Sequence, residues 1–279
     1  VNKTVLAQGP FIGSFEQEIL TFRPHMRWIE KNTNARYIYY SSHFNRKFLY
    51  PQVTMKRYIP VYRQLTRQEI HQTGYNHKDV NQRDFTSLIR VYKDNIVSKL
   101  GCTKKDINQQ SLPYVKYIPP VSIYHKIFEP IKVPVSKRKG YVVFIPDDSM
   151  NIKDALIIFN YLKKTCKFAV IGDMKCYLSE DNEILQGVDY LNTGYQKIVT
   201  AITNSTAVIT PCSHWTAIAN LQGVPIVSWG ENVGQYKKQG IYNFNNSQAR
   251  VVYHDKDSKI NNILKQIDNY LQEINDKII

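Results

Sequence analysis

The sequence predicts an α/β chain of two parallel-sheet halves, residues 1–132 and 140–279, closed by a C-terminal helix. Three observations predict it. Short apolar runs alternate with helical periodicities, most regularly beyond residue 140. A strand-loop-helix-strand unit opens the chain, with Gly9 and Gly13 in its loop. Between the halves, Pro119, Pro120, Pro130 and Pro134 lead into the basic run Ser136-Lys137-Arg138-Lys139-Gly140, which reads as an interdomain linker. With 279 residues the chain has room for two domains of about 130–150 residues.

Residues 3–8 form the first apolar strand, and a helix is expected from residue 14 to about residue 31. Phe15, Ile19, Phe22, Met26 and Ile29 recur on one face, and Ser14 with Gln17 fits a capping box. A second strand is expected at 36–40. Residues 41–81 interleave basic and aromatic side chains and read as one or two short strands plus a long exposed segment. A helix at 80–100 carries Phe85, Leu88, Ile89, Tyr92, Ile96 and Val97 on one side and stops at Gly101. A further strand is expected at 114–118.

The second half alternates strand 141–145, helix 152–164, strand 168–171, helix 195–203 and strand 207–210. Residues 208–230 then form the feature that organises it. An apolar strand ends at Pro211, a small-residue helix opens at Ser213 or Thr216, and Gly223-Val224-Pro225 stops it before a second apolar strand. The first N–H groups of such a helix face the carboxyl end of the sheet, where an anion such as phosphate is favoured. The same pattern also suits a plain crossover that binds nothing. A stripe of Ile260, Ile263, Leu264, Ile267, Tyr270, Leu271, Ile274 and Ile278 makes the final helix.

Lys and Arg number 37 against 23 Asp and Glu, a formal net charge of +14, which favours polyanionic partners. No apolar run reaches the roughly 18–20 residues that a membrane span needs. Without a secretory pattern at its start, the protein is expected to stay in the cytoplasm. Cys102, Cys166, Cys176 and Cys212 are scattered, so neither a disulfide framework nor a zinc site is expected. His71 and His77 lack partners at metal-ligand spacing.

Two such halves, with a glycine loop and acids opening the first and a strand-turn-helix ending in Gly-Val-Pro in the second, resemble the GT-B glycosyltransferases. More narrowly, the chain resembles glycosyltransferase family 9, the heptosyltransferase-like enzymes, and shorter relatives encoded by bacteriophages. The resemblance is best over residues 5–28 and 201–230. It implies two Rossmann-like domains facing a cleft, the first binding the acceptor and the second a nucleotide sugar. It also implies an inverting single displacement with no metal and no cofactor beyond the nucleotide-sugar co-substrate.

In that family a Gly-Asp pair precedes a helix, with a proline six residues after the acid, and the acid is the base. Counting back six from Pro24 reaches Glu18, and Glu16 is its neighbour, so the resemblance implies one of these as the base. Both acids also suit a helix N-terminus with no catalytic part. The second motif reads Asp-Ser-Gly-x-x-His before Gly-x-Pro. Here Cys212, Ser213 and His214 take its first three places and Ala217 its last, so only Ser213 is retained in register. The expected donor-binding set is Gly13, Cys212, Ser213, His214, Thr216, Gly172, Lys175 and Glu231.

For the acceptor, the density of cations and rings in 41–81 suits phosphate contacts and base stacking. His43, Arg46, Lys47, Lys56, Arg57, Arg63 and Arg67 are the expected nucleic-acid contacts, and a hydroxymethylated pyrimidine in phage DNA is the first acceptor considered. A lipopolysaccharide or other surface glycan is the second. The third reading is a non-catalytic nucleic-acid-binding protein on a degenerate transferase fold.

Overall fold

The computed structural model describes residues 5–13, 15–51, 57–62, 82–110, 130–134, 140–146, 150–171, 189–190, 194–230, 249–253 and 260–276. The chain divides into two compact units, Val1–Lys132 and Val133–Ile279. The strand expected at 114–118 lies outside the described residues.

In the first unit β1 (Val5–Gln8) pairs in parallel with β2 (Tyr37–Tyr40) on one side and β3 (Ile107–Gln110) on the other. Tyr58 and Val61 add isolated parallel bridges to Tyr40 and His43, so the chain there runs alongside the end of β2. β1 is buried along its whole length. Tyr92 and Ile96 of α3 (Gln82–Leu100) pack into the core that it forms with Tyr39, Ile59 and Ile107. Gly101 ends α3 at φ +60° with its N–H on Val97 O, the left-handed cap that the sequence predicts.

The single helix expected at 14–31 is interrupted. α1 (Phe15–Gln17) passes into a π-helical turn, Glu18–Phe22, before α2 (Arg23–Lys31) begins. The cause is Pro24, which stands at the start of α2, lacks an N–H and would crowd the carbonyl four residues back. A widened turn, with Arg23 N–H bonding Glu18 O, takes the proline without breaking the rod.

The second unit is a six-stranded parallel sheet in the order β6-β5-β4-β7-β8-β9. Its strands are β4 (Val142–Phe144), β5 (Phe168–Val170), β6 (Asp189–Tyr190), β7 (Ala207–Pro211), β8 (Ile226–Gly230) and β9 (Ala249–Tyr253). β4, β7 and β8 are buried at every residue, which is why they read as continuous apolar runs rather than alternating ones. α4 (Ile152–Thr165) is capped by Asn151, whose side chain accepts from Lys153 N. α5 (Tyr195–Asn204) and α6 (His214–Leu221) link the later strands, and α7 (Ile260–Asp276) buries Ile263, Ile267 and Tyr270 in the common core.

One polar tie fixes α7 to α4: the Tyr161 hydroxyl donates to Asp268 Oδ1 at 2.6 Å. Burial, then the Asp268 carboxylate, pushes this phenol up to about 12. Because its folded pKa is raised, the contribution is complete below pH 10 and fades between pH 10 and about 12. Tyr161→Phe should lower the unfolding free energy by about 1 kcal/mol at neutral pH. In denaturant titrations the variant should also lose less stability than the native chain across that alkaline window. Among the described residues no helix is long and apolar enough to cross a membrane.

Candidate functional site

Open parallel sheets bind ligands outside the carboxyl ends of the strands, where successive crossovers turn in opposite directions. In the second unit this switch point lies between β4 and β7, whose chains leave toward opposite sides of the sheet. Pro211, Cys212 and Ser213 emerge there. Cys212 N–H donates to Trp229 O at 2.6 Å, which pins the turn to β8. Ser213 has extended backbone and caps α6.

The cap is reciprocal. Ser213 Oγ accepts from Trp215 N, and Thr216 Oγ1 accepts from Ser213 N, each at 3.3 Å. Both bonds are longer than the usual 2.9–3.0 Å. Ser213 is half-buried, so its hydroxyl and the helix terminus stand at the switch point. Thr216 is different from expectation: it is 1% exposed, and its hydroxyl is spent on Pro211 O at 3.4 Å and Ser228 Oγ at 3.3 Å. It braces the turn against β8 rather than facing a ligand. Thr216→Val should therefore cost about 1–2 kcal/mol in urea unfolding, the sum of a weakened cap and the lost hydroxyl bonds to Pro211 O and Ser228 Oγ. His214 begins α6, and its side chain is outside the description. Gly172, Lys175 and Glu231 lie outside the described residues. Gly172 is two residues beyond β5, and Glu231 directly follows β8.

In the first unit the switch point lies between β1 and β3. The loop after β1 is packed down on the end of β2: Ser41 N–H donates to Gln8 O at 2.8 Å and Phe11 N–H to Ser41 O at 3.0 Å. Gly9 is required there, since its φ is +104° and an added Cβ would stand 2.2 Å from Ser41 O. Gln109 Nε2 crosses from β3 to donate to Gly9 O at 2.7 Å.

Behind this loop sits a buried ionic cluster. Glu18 and Arg46 are both 0% exposed, and Arg46 Nη1 donates to Glu18 Oε2 at 2.7 Å. The same nitrogen donates to Gly13 O at 2.8 Å. Glu18 Oε1 accepts from the Tyr50 hydroxyl at 2.6 Å and from Ser42 Oγ. Burial, reinforced by the Glu18 charge, raises the Tyr50 phenol well above its ordinary value, so it stays protonated and keeps donating. Among the described residues Arg46 Nε and Nη2 have no hydrogen-bond partner, and the guanidinium carbon lies 6.0 Å from the centre of the Phe15 ring.

This cluster bears on three expectations. Glu18 has no exposed surface and is fully engaged, so an acceptor hydroxyl does not reach it in this geometry. Arg46 was expected on a phosphate but neutralises Glu18 in the interior. Gly13 was grouped with the donor contacts. Instead it is buried beneath Arg46, where a Cβ would come within 2.6 Å of Phe11 Cζ and 2.7 Å of Gln17 Oε1. Glu16 lies in α1, and its side chain is outside the description.

The remaining expected nucleic-acid contacts divide. Lys47 donates to Tyr50 O at 2.9 Å and lies 5.7 Å from the centre of the Tyr58 ring. Arg57 is exposed but reaches back over Tyr37, the first residue of β2, 5.7 Å from the ring centre. His43 is half-buried, with Nδ1 2.6 Å from Asn45 Oδ1. Lys56, Arg63 and Arg67 lie outside the described residues. Among the described residues no three His, Cys, Asp or Glu side chains gather as a metal site.

No protein-family model matches the chain, and no curated protein matches it by sequence. Solved structures do match it over nearly its whole length. ADP-heptose lipopolysaccharide heptosyltransferase II of E. coli is similar with a TM-score of 0.52 at 14% identity, over 96% of this chain and 98% of that one. E. coli heptosyltransferase WaaC with ADP gives 0.54 at 9% identity, over 95% and 99%. A family 9 glycosyl transferase from Veillonella parvula gives 0.56 at 11% identity, over 97% of each. At such identities the likeness is one of fold: the α/β architecture with two parallel sheets is the one these transferases have.

Proposed function

We propose that the chain is a glycosyltransferase that moves a sugar from a nucleotide-sugar donor to a hydroxyl acceptor. One observation carries this reading: the likeness in fold to heptosyltransferases and a family 9 enzyme spans both chains almost end to end, so both units are accounted for together.

In this reading the second unit binds the donor at its switch point. The diphosphate meets the first turn of α6, with Ser213 and His214 as its contacts. The long capping bonds of Ser213 support this, because a charged oxygen accepts shorter and stronger bonds from the same groups. Gly172 and Glu231 come after β5 and β8 in the chain and are assigned to the sugar and ribose hydroxyls, and Lys175 to the diphosphate.

In the transfer, a carboxylate takes the acceptor hydroxyl's proton while its oxygen bonds the anomeric carbon. The bond from that carbon to the diphosphate breaks, and the nucleoside diphosphate leaves with the electron pair. The result is inversion, with helix-terminal N–H groups and basic side chains serving where other transferases use a metal ion. Of the two carboxylates expected as base, Glu16 is the one assigned here, a choice supported by the pairing of Glu18 with Arg46.

Incubation of the full chain with a panel of nucleotide sugars tests the reading. The acceptors are lipopolysaccharide core, hydroxymethylcytosine DNA and plain DNA, and release of nucleoside diphosphate is the readout. Release with one donor is expected, dependent on an acceptor. No release, no slow donor hydrolysis and no binding of any nucleotide sugar would overturn it. Tight, salt-sensitive DNA binding in that same case would identify a binding module instead. The DNA arm is retained because of the +14 charge, and a DNA acceptor would rest on Lys56, Arg63 and Arg67.

A further inference from the structure

Three aromatic rings leave the carboxyl edge of the first sheet together. His43 and Phe44 follow β2, and Tyr62 follows the residues that bridge to it. The His43 and Phe44 ring centres are 4.6 Å apart, and those of Phe44 and Tyr62 are 5.5 Å apart with planes 25° from parallel. Such a ladder is ordinary in a core. Here Phe44 is 53% exposed and Tyr62 78% exposed. With one face against Phe44 and most of its surface open, Tyr62 presents its other face to solvent.

The ladder is not a flexible tip. Phe44 N–H donates to Val61 O at 3.1 Å, Val61 N–H to Ser42 O at 2.9 Å, and the Tyr58 hydroxyl to His43 O at 2.7 Å. The backbone on both sides is thus held to the sheet. Rings fixed in place lose little freedom when a ligand stacks on them.

The charges nearby say which ligand fits. A nucleic acid stacked on these rings would need cations aimed at its phosphates. The described cations of this segment aim elsewhere: Arg46 into the interior on Glu18, Lys47 onto Tyr50 O, and Arg57 back over Tyr37 toward the opposite end of β2. Among the described residues, then, no cation is aimed over the open ring face. A pyranose fits such a face, because its C–H bonds carry partial positive charge toward the negative face of the ring.

We infer that Phe44 and Tyr62, backed by His43, form a stacking subsite for a neutral sugar ring of the acceptor. The inference rests on the glycosyltransferase reading and names its acceptor class as a saccharide. The test has two parts. Release of nucleoside diphosphate from the donor panel in the absence of acceptor tests the transferase reading alone. Titration of the native chain and of the Phe44→Ala, Tyr62→Ala double variant tests the subsite, with a delipidated lipopolysaccharide core oligosaccharide and a short single-stranded oligodeoxynucleotide as probes.

The native chain should bind the oligosaccharide, and the double variant should bind it about tenfold or more weakly. Phe44→Tyr and Tyr62→Trp should keep the affinity, since the ring face is what binds. Equal thermal midpoints for all variants exclude unfolding as the cause, and both residues are exposed enough to expect this. No binding of the oligosaccharide by the native chain would overturn the subsite, as would unchanged affinity in the double variant. So would a selective loss of oligodeoxynucleotide binding, which would make the ladder a base-stacking surface.

Discussion

Glu18→Ala is expected to lower the stability of the first unit by about 3–5 kcal/mol. The residue was expected to be chemical, yet its carboxylate holds together four parts of that unit: the π-helical turn, Ser42 beyond β2, Arg46 and Tyr50. Removing it leaves the Arg46 guanidinium charged, 0% exposed and without a counter-ion, which is the costly way to break a buried pair. Denaturant unfolding with equal slopes for native and variant chains measures the loss. Glu18→Leu with Arg46→Met should recover much of it, because an apolar pair of similar volume carries no buried charge. A Glu18→Ala chain that unfolds like the native one would show that the cluster has solvent access after all.

Glu16→Gln should lower the transfer rate by about 10²–10⁴-fold while leaving unfolding within about 0.5 kcal/mol of native. The two acids stand two residues apart in sequence, and the interior has claimed one of them. The contrast between the two variants is therefore sharper than either alone. One should lose fold and the other chemistry. Nucleoside diphosphate release at saturating donor and acceptor measures the rate, and direct nucleotide-sugar binding shows that the donor site is intact. If Glu16→Gln transfers at the native rate, the base is a residue that neither the motif nor the buried cluster supplies.

Much of the architecture was legible before any coordinates. The runs at 141–145, 207–210 and 226–230 read as strands because a parallel sheet covered on both faces needs apolar residues in every position. The cap at Ser213 was legible from serine ahead of a small-residue helix, and Gly101 from its place after the last apolar turn. β3 was not legible: Ile-Asn-Gln-Gln carries one buried apolar residue, and its place beside β1 comes from backbone pairing and the Gln109 bond to Gly9. The π-helical turn was hidden because apolar periodicity tolerates one extra residue, although Pro24 inside a helical pattern is the signal that marks it. The His43–Phe44–Tyr62 ladder was hidden because its members come from two chain segments that only the bridges to β2 bring together.

The sequence by itself determined where strands and helices alternate, because burial on one face or two leaves a period in the residues that form it. It also narrowed the start of α6 to Ser213 or Thr216, since a cap is a local exchange of hydrogen bonds over four residues, and the structure has the cap at Ser213. Only the tertiary structure decided which charges are available. Glu18 and Arg46 read as a base and a phosphate contact when taken along the chain, and 28 residues separate them. Folding brings them into one dry cluster, where a carboxylate and a guanidinium satisfy each other more cheaply than either stays alone. Whether a charged side chain meets solvent or a partner depends on what folds over it, and composition does not carry that information.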